Sequence, residues 1–192
     1  MKQFELTEDQ FQELMRLCRL YRREADRSMD AKAYLAGCVM IGAALEAGLL
    51  ATCDCYSYEI PEELIPKQKN GKPKHLLDWT LFQLLRVARE CGWLPAHLNL
   101  HEDWDEKRAD IGDYAVVLKD MRNLVHASCH IADFPKSRVT KRRMEMCFEI
   151  LEVASTHLQA KLHQSLKVAM EEEEKKTPNE SLHRIADKPG SR

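Results

Sequence analysis

The segment from Ala33 to Ala51 constrains the fold most strongly, because its only charged residue is Glu46. A stretch of this length with one charge either spans a membrane or forms the buried central helix of a bundle. Its alanines and glycines make it small rather than strongly hydrophobic, and a carboxylate inside a membrane costs about 2.5–3.5 kcal/mol. We therefore predict a buried core helix, covered by amphipathic neighbours, and no membrane segment.

The composition fits one soluble domain. With 192 residues the chain is long enough for one substantial core, and its formal net charge of −2 provides no overall field that would attract nucleic acid or an anionic membrane. Its seven cysteines form an odd set without paired spacing, which indicates a reducing compartment. The first ten residues contain no apolar signal core, so we expect a cytoplasmic protein.

Capping signals and helical periodicity predict the first two helices. The first is expected to begin at Thr7, because Gln10 follows at the spacing of a capping box. Asp30 is a suitable N-cap for the second helix, which is expected to end near Ala51. The chain that follows, residues 54–74, contains three prolines and an Asn-Gly pair, so we predict a long loop there.

The predicted fold class is all-α, a bundle of about five helices without any strand of consequence. Residues 1–170 are predicted to form a single helical domain. The tail, residues 171–192, is strongly charged and contains two prolines, which predicts disorder. Helical periodicity places the last three helices at residues 75–91, 113–129 and 140–170.

The predicted helix at residues 113–129, called the motif helix below, has two chemically different faces. At about 100° per residue, Arg122 and His126 lie one turn apart, opposite the apolar side chains. Lys119, Asn123 and His130 share their face, and this set of five residues, the polar stripe, contains no carboxylate. A solvated helix face more often mixes cations with anions. The polar stripe is therefore the candidate functional site, and a merely solvated face is the alternative.

Three segments of the chain resemble HEPN-like bacterial helical proteins. The run Leu-Lys-Asp-Met-Arg-Asn-Leu-Val-His, which ends at His126, resembles their signature, in which an Arg-Asn-Leu-Val-His or Arg-Asn-Leu-Ile-His segment closes a long helix. Residues 41–47, Ile-Gly-Ala-Ala-Leu-Glu-Ala, are similar to their central helix. Residues 76–94, from Leu-Leu-Asp-Trp to Cys-Gly-Trp-Leu, are similar to the following helix and its exit. The resemblance covers roughly residues 30–160.

This resemblance implies a helical bundle that often dimerises with its motif helices facing each other. In many members, Arg and His are the active residues of a metal-independent RNA endonuclease. Carried over to this chain, the catalytic residues are Arg122, Asn123 and His126, with Lys119 and His130 as expected RNA-binding neighbours. The resemblance thus implies RNA and a second copy of the chain as partners, and neither a metal nor another cofactor.

A second interpretation is a non-catalytic HEPN-like module. Three residues separate Arg122 from His126, whereas the nuclease signature usually has four to six. Ala127 and Ser128 follow the histidine, where similar proteins commonly have Pro-Gly or a similar pair. In this interpretation, the polar stripe is a surface for dimerisation or for a partner protein.

A third interpretation is a metal-binding helical protein. Cys53, Cys55 and His75 form one possible ligand set, and His126 with His130 forms another. Neither set has the spacing of a complete zinc site, so we expect no metal. Glu46 is the remaining unusual residue, and we expect it to reach a solvent edge or an arginine, because an unpaired buried carboxylate is costly. The alternative is a functional role in which Glu46 pairs with the polar stripe.

Overall fold

A computed structural model describes residues 6–94 and 139–176 of the chain. Within these two ranges the structure is all-α, with two short 3-10 turns and an isolated β-bridge but no strand. The predicted motif helix lies outside the described residues, so the count of five helices stays a prediction. The described helices are α1 (Glu8–Asp30), α2 (Tyr34–Cys55), α3 (Leu81–Glu90) and α4 (Lys141–Lys176), and the 3-10 turns are Ser57–Glu59 and Leu76–Asp78.

The central element is α2, and more than half of its residues are buried. Ile41, Leu45 and Leu49 are among the most completely buried large side chains of the described chain. The helix packs against α1 and α3, and the 3-10 turn before α3 also contacts it. The prediction of a buried core helix is therefore confirmed.

α2 is also the one helix in the described chain that is long and apolar enough to cross a membrane. Its most apolar window has a mean hydropathy of 1.8, and 56% of that window is buried inside the bundle. A helix covered by its neighbours in this way is typical of the core of a soluble protein. Length and hydropathy alone are therefore weak evidence for a span.

The start of α1 is held by two local contacts and one distant contact. The Gln10 amide N–H donates to the Thr7 hydroxyl at 3.3 Å, and the Thr7 N–H donates to the Gln10 side chain at 3.0 Å. The capping box predicted from the sequence is thus confirmed. In addition, the N–H of Leu6 donates to Asp54 Oδ1 at 2.7 Å, which joins the start of α1 to the end of α2.

The predicted start of the second helix at Asp30 is wrong, because Asp30 is the last residue of α1. The chain turns at Lys32, which has a φ of 57° in the left-handed region. The N–H of Ala33 then donates to the Ser28 carbonyl at 2.8 Å, which completes a Schellman motif. Glycine is the usual residue at the left-handed position. A lysine there gives the sequence no recognisable stop signal.

α4 begins one residue after the predicted position, and the hydroxyl of Thr140 accepts the N–H of Arg143 at 3.3 Å. Its part up to Leu158 belongs to the compact unit that contains α1, α2 and α3. Residues 159–176 belong to a second unit, in which the helix continues to Lys176 rather than ending near Met170. The rest of the predicted disordered tail, residues 177–192, lies outside the described residues.

α2 and α4 approach each other closely at Gly37. A Cβ atom built on this glycine would overlap the side chain of Met144, which is fully buried, and would lie 3.3 Å from the Cβ of Ser28 on α1. Glycine is therefore required here for space, and the three helices meet at this point. An ion pair between Arg22 and Glu152 also joins α1 to α4 at the surface.

We expect the substitution Gly37→Ala to lower the free energy of unfolding by about 1–2 kcal/mol, because the added methyl group must displace Met144 or separate the helices. Gly48→Ala is the matched control on the same helix, since a Cβ atom there has no neighbour within 4 Å. Alanine at that position should raise the free energy of unfolding by about 0.5–1 kcal/mol through helix propensity. Urea denaturation measures both values. Equal gains in the two variants would contradict the close approach.

Candidate functional site

The polar stripe lies outside the described residues, so its catalytic and RNA-binding roles stay predictions. What the structure does define is the pair of positions at which the segment containing the stripe, residues 95–138, joins the bundle. The members of the stripe are Lys119, Arg122, Asn123, His126 and His130.

The first junction follows α3. Gly92 has a φ of 71°, in the left-handed region that glycine commonly adopts just after a helix end, and Trp93 and Leu94 are buried immediately after it. The indole N–H of Trp93 donates to Glu59 Oε2 at 3.1 Å, and its ring lies 5.7 Å from the ring centre of Tyr56. The chain therefore leaves the core from a fixed position.

The second junction precedes α4. Val139 is half-buried against the core, and Thr140 caps the helix. Both junctions belong to the compact unit that contains α1, α2 and α3. The segment that carries the polar stripe is therefore attached at both ends to one body.

The structure does not bring together the first predicted metal-ligand set. Cys53 is buried, Cys55 is exposed, and Nδ1 of His75 accepts the N–H of Leu77 at 3.3 Å at the start of a 3-10 turn. Across residues 6–94 and 139–176, no group of three or more His, Cys, Asp or Glu side chains is placed to hold a metal ion. The second set, His126 and His130, lies outside these ranges.

Glu46 is half-buried on α2. This placement fits the expectation that its carboxylate reaches an edge of the bundle. It does not place Glu46 beside the polar stripe, because the stripe is outside the described chain.

Two cysteines from distant parts of the sequence meet in the core. Sγ of Cys147 on α4 lies 3.9 Å from Sγ of Cys38 on α2, and it also donates to the Arg143 carbonyl at 2.9 Å. Its hydrogen bond with Cys38 and its burial raise the pKa of the Cys147 thiol. All six described cysteines are free thiols. The pair therefore packs as reduced side chains that join α2 to α4.

The predicted loop at residues 54–74 contains an ordered feature that the sequence analysis missed. Residues 66–74, called the lysine hairpin below, fold back on themselves with Gly71 at a φ of 80°. The N–H of Gly71 donates to the Gln68 carbonyl at 3.0 Å, and the N–H of Gln68 donates to the Lys72 carbonyl at 2.8 Å. This is the pattern of a three-residue hairpin turn with glycine at the left-handed position. The Asn-Gly pair signalled the turn.

The lysine hairpin is fixed to the bundle on both sides. Before it, the Leu64 carbonyl accepts a hydrogen bond from Nη2 of Arg86 on α3 at 3.3 Å. After it, the Lys74 carbonyl accepts from the indole N–H of Trp79 at 3.2 Å, and this tryptophan is buried. Ile65 is buried as well. The turn of the lysine hairpin therefore projects from a segment that the bundle holds in place on both sides.

Comparison with known proteins finds no matching protein-family model, and no curated protein or solved structure with significant similarity to the chain. The HEPN-like resemblance thus depends on the sequence segments quoted above.

The burial of the cysteines predicts a sharp order of chemical reactivity. Among the six described cysteines, iodoacetamide at about pH 8 should modify Cys55 first, because its side chain is exposed, although partial burial raises the pKa of its thiol. Cys38, Cys53 and Cys147 should stay unmodified in the folded protein, because they are buried and because burial raises the pKa of Cys53. Peptide mass mapping measures each site. All should react in about 6 M guanidinium, and rapid native modification of Cys147 would contradict the packing of α2 on α4.

Proposed function

We propose that this chain is a HEPN-like, metal-independent endoribonuclease of toxin or defence type that acts in the cytoplasm. The observation that carries the proposal is the polar stripe. In it, an arginine and a histidine are predicted to lie one turn apart on a helix face without a carboxylate, inside a run that resembles the family signature. Arg122 and His126 are the proposed catalytic pair, with Asn123 beside them.

The described bundle supports this proposal through the other two segments of the resemblance. Residues 41–47 lie in α2, the buried central helix, and residues 76–94 contain α3, which packs against it. Trp93 and Leu94 are then buried in the same core. The segment that carries the polar stripe therefore begins beside the two elements that the resemblance pairs with it.

The proposed reaction is an internal transesterification of RNA. The ribose 2′-oxygen forms a bond to phosphorus as the bond from phosphorus to the 5′-oxygen breaks, which leaves a 2′,3′-cyclic phosphate and a 5′-hydroxyl. Neutral His126 would accept the 2′-hydroxyl proton, or its protonated form would donate to the leaving oxygen, since imidazole titrates near neutrality. Arg122 would stabilise the charge on the phosphoryl oxygens, and Asn123 would orient a phosphate or the histidine.

The substitutions Arg122→Ala and His126→Ala should each lower the cleavage rate by at least about 100-fold, because each removes a group that acts only in the transition state. Cleavage by the unmodified chain should persist in EDTA and should follow a titration in the imidazole range. A fluorescent RNA cleavage assay measures the rate. Arg19→Ala is the control, because Arg19 is an exposed cation on α1 and has no proposed role.

A thermal melt of the same variants separates catalysis from stability. Both side chains are predicted to face away from the core, so each variant should stay within about 0.5 kcal/mol of the original free energy of unfolding. A melting temperature lowered by about 10 °C or more would instead give the polar stripe a structural role. An absence of cleavage on several RNAs would reject the enzyme.

The short spacing between Arg122 and His126 favours a second candidate function, a non-catalytic module whose polar stripe binds a second copy or a partner protein. Both candidates include a two-fold dimer, the commonest oligomer. In the catalytic case, the dimer would bring two sets of active residues around one groove. In the non-catalytic case, alanine at either position would weaken association and no RNA would be cut.

Light scattering at high micromolar concentration should give about twice the chain mass of 22.3 kDa. The non-catalytic candidate further predicts that Arg122→Ala and His126→Ala shift the protein towards the monomer, because the stripe would be the interface. Sedimentation over a range of concentrations compares the variants with the Arg19→Ala control. A strict monomer at every concentration would rule out the proposed dimer.

A further inference from the structure

The lysine hairpin has no part in the proposed chemistry, yet it concentrates positive charge in a segment without any carboxylate. Four lysines fall between Pro66 and His75, and no aspartate or glutamate occurs from Leu64 to Leu77. The whole chain has a net charge of −2, so this is a local concentration rather than a general basic character. A concentrated local charge attracts polyanions even when the whole protein is nearly neutral.

The charges of the hairpin differ from most other described cations in their lack of partners. None of its four lysines forms an ion pair with another described residue, and Lys67, Lys69 and Lys72 are exposed. Five other cations of the described chain are instead paired with neighbouring carboxylates. These pairs are Arg16 with Glu13, Arg22 with Glu152, Arg27 with Glu24, Arg89 with Glu90, and Lys141 with Glu145.

The geometry points to a binding site for the phosphate backbone of nucleic acid at the lysine hairpin. Its turn is closed by backbone hydrogen bonds, and the Asn70 side chain accepts the N–H of Lys72 at 3.0 Å. Contacts from Arg86 and Trp79 hold its two sides. Because the backbone is already ordered, binding has little conformational entropy to lose there.

The side chains of the tip favour nucleic acid over two other polyanions. Between Lys67 and Lys72 the residues are polar or glycine, so no apolar side chain is available to enter a lipid surface. Lysine is depleted from protein–protein interfaces, and the tip offers no aromatic or arginine anchor for an acidic protein. Lysine ammonium groups and the amide of Gln68 are instead common donors to phosphate and sugar oxygens.

This inference adds an RNA-binding surface to the proposed nuclease. It rests on the proposed function only in that RNA is chosen as the probe. Binding and cleavage are measured separately. The test therefore uses the full chain with His126→Ala, so that the RNA stays intact, and a fluorescein-labelled single-stranded RNA of mixed sequence, about 16 nucleotides long. Fluorescence anisotropy gives the dissociation constant between about 50 and 200 mM salt.

The test variant is Lys67→Gln, Lys69→Gln and Lys72→Gln combined. Its matched control is Arg19→Gln, Arg23→Gln and Lys32→Gln, which removes the same charge from exposed positions on and after α1. At about 0.1 M salt the hairpin variant should bind about 10- to 100-fold more weakly. The slope of log K against log salt should also become shallower by about 2, because each phosphate contact on a single strand contributes about 0.7.

Equal losses in both triple variants would overturn the inference, since overall charge would then explain the binding. Arginine at the three hairpin positions should restore affinity to within a few-fold, because the charge returns on the same backbone. Vesicles of phosphatidylcholine and phosphatidylserine should not bind. Lysine-dependent vesicle binding without RNA binding would also overturn the inference and assign the hairpin to membranes.

The outcomes for the binding site and for the nuclease can be told apart. Loss of RNA binding in the hairpin variant, together with no cleavage by the unmodified chain, would support the binding site and reject the proposed enzyme. Cleavage by the unmodified chain, with binding and cleavage unchanged in the hairpin variant, would support the enzyme and overturn the binding site. Circular dichroism melts of each triple variant verify that the bundle is intact.

Discussion

The described structure depends on covering α2, a helix that has no polar face. Its side chains are small and apolar around most of its circumference, so each neighbouring element must contribute an apolar surface to it. α1 and α3 provide such surfaces through their amphipathic patterns, and the first half of α4 adds Met144, Ile150 and Leu151 to the same core. The arrangement of the bundle thus follows from one segment with a single charge.

Small residues on α2 determine how closely the neighbouring helices approach it. Gly37 leaves room for Met144, and the adjacent Cys38 meets Cys147 in the same layer. The contact at Gly37 and the contact at Cys38 fall within one turn of each helix. At this point α4 is therefore positioned by the fit of side-chain volumes rather than by charge. The exposed ion pair between Arg22 and Glu152 contributes about 1 kcal/mol or less in comparison.

Local signals explain what the sequence could predict. α1 begins after Thr7 as expected, because a capping box acts within a few residues. The turn at Lys32 has no local signal in the sequence, because a lysine adopts the conformation usually taken by glycine. At the lysine hairpin the sequence predicts only a loop, because the contacts that hold it come from Trp79 and Arg86, outside the segment itself. Its run of unopposed lysines was visible in the sequence. The polar stripe rests on helical periodicity and on a resemblance.

The hydrogen bond between Leu6 and Asp54 has a consequence for how the chain folds. Together with the tight turn at Lys32, it closes α1 and α2 into a helical hairpin at both ends. Most contacts within such a hairpin join residues that are close in sequence, and structures of low contact order form quickly. We expect α1 to pack against the apolar helix α2 before α4 does, because α4 lies much farther along the chain. Early cover of this kind limits the time during which an apolar surface is open to aggregation.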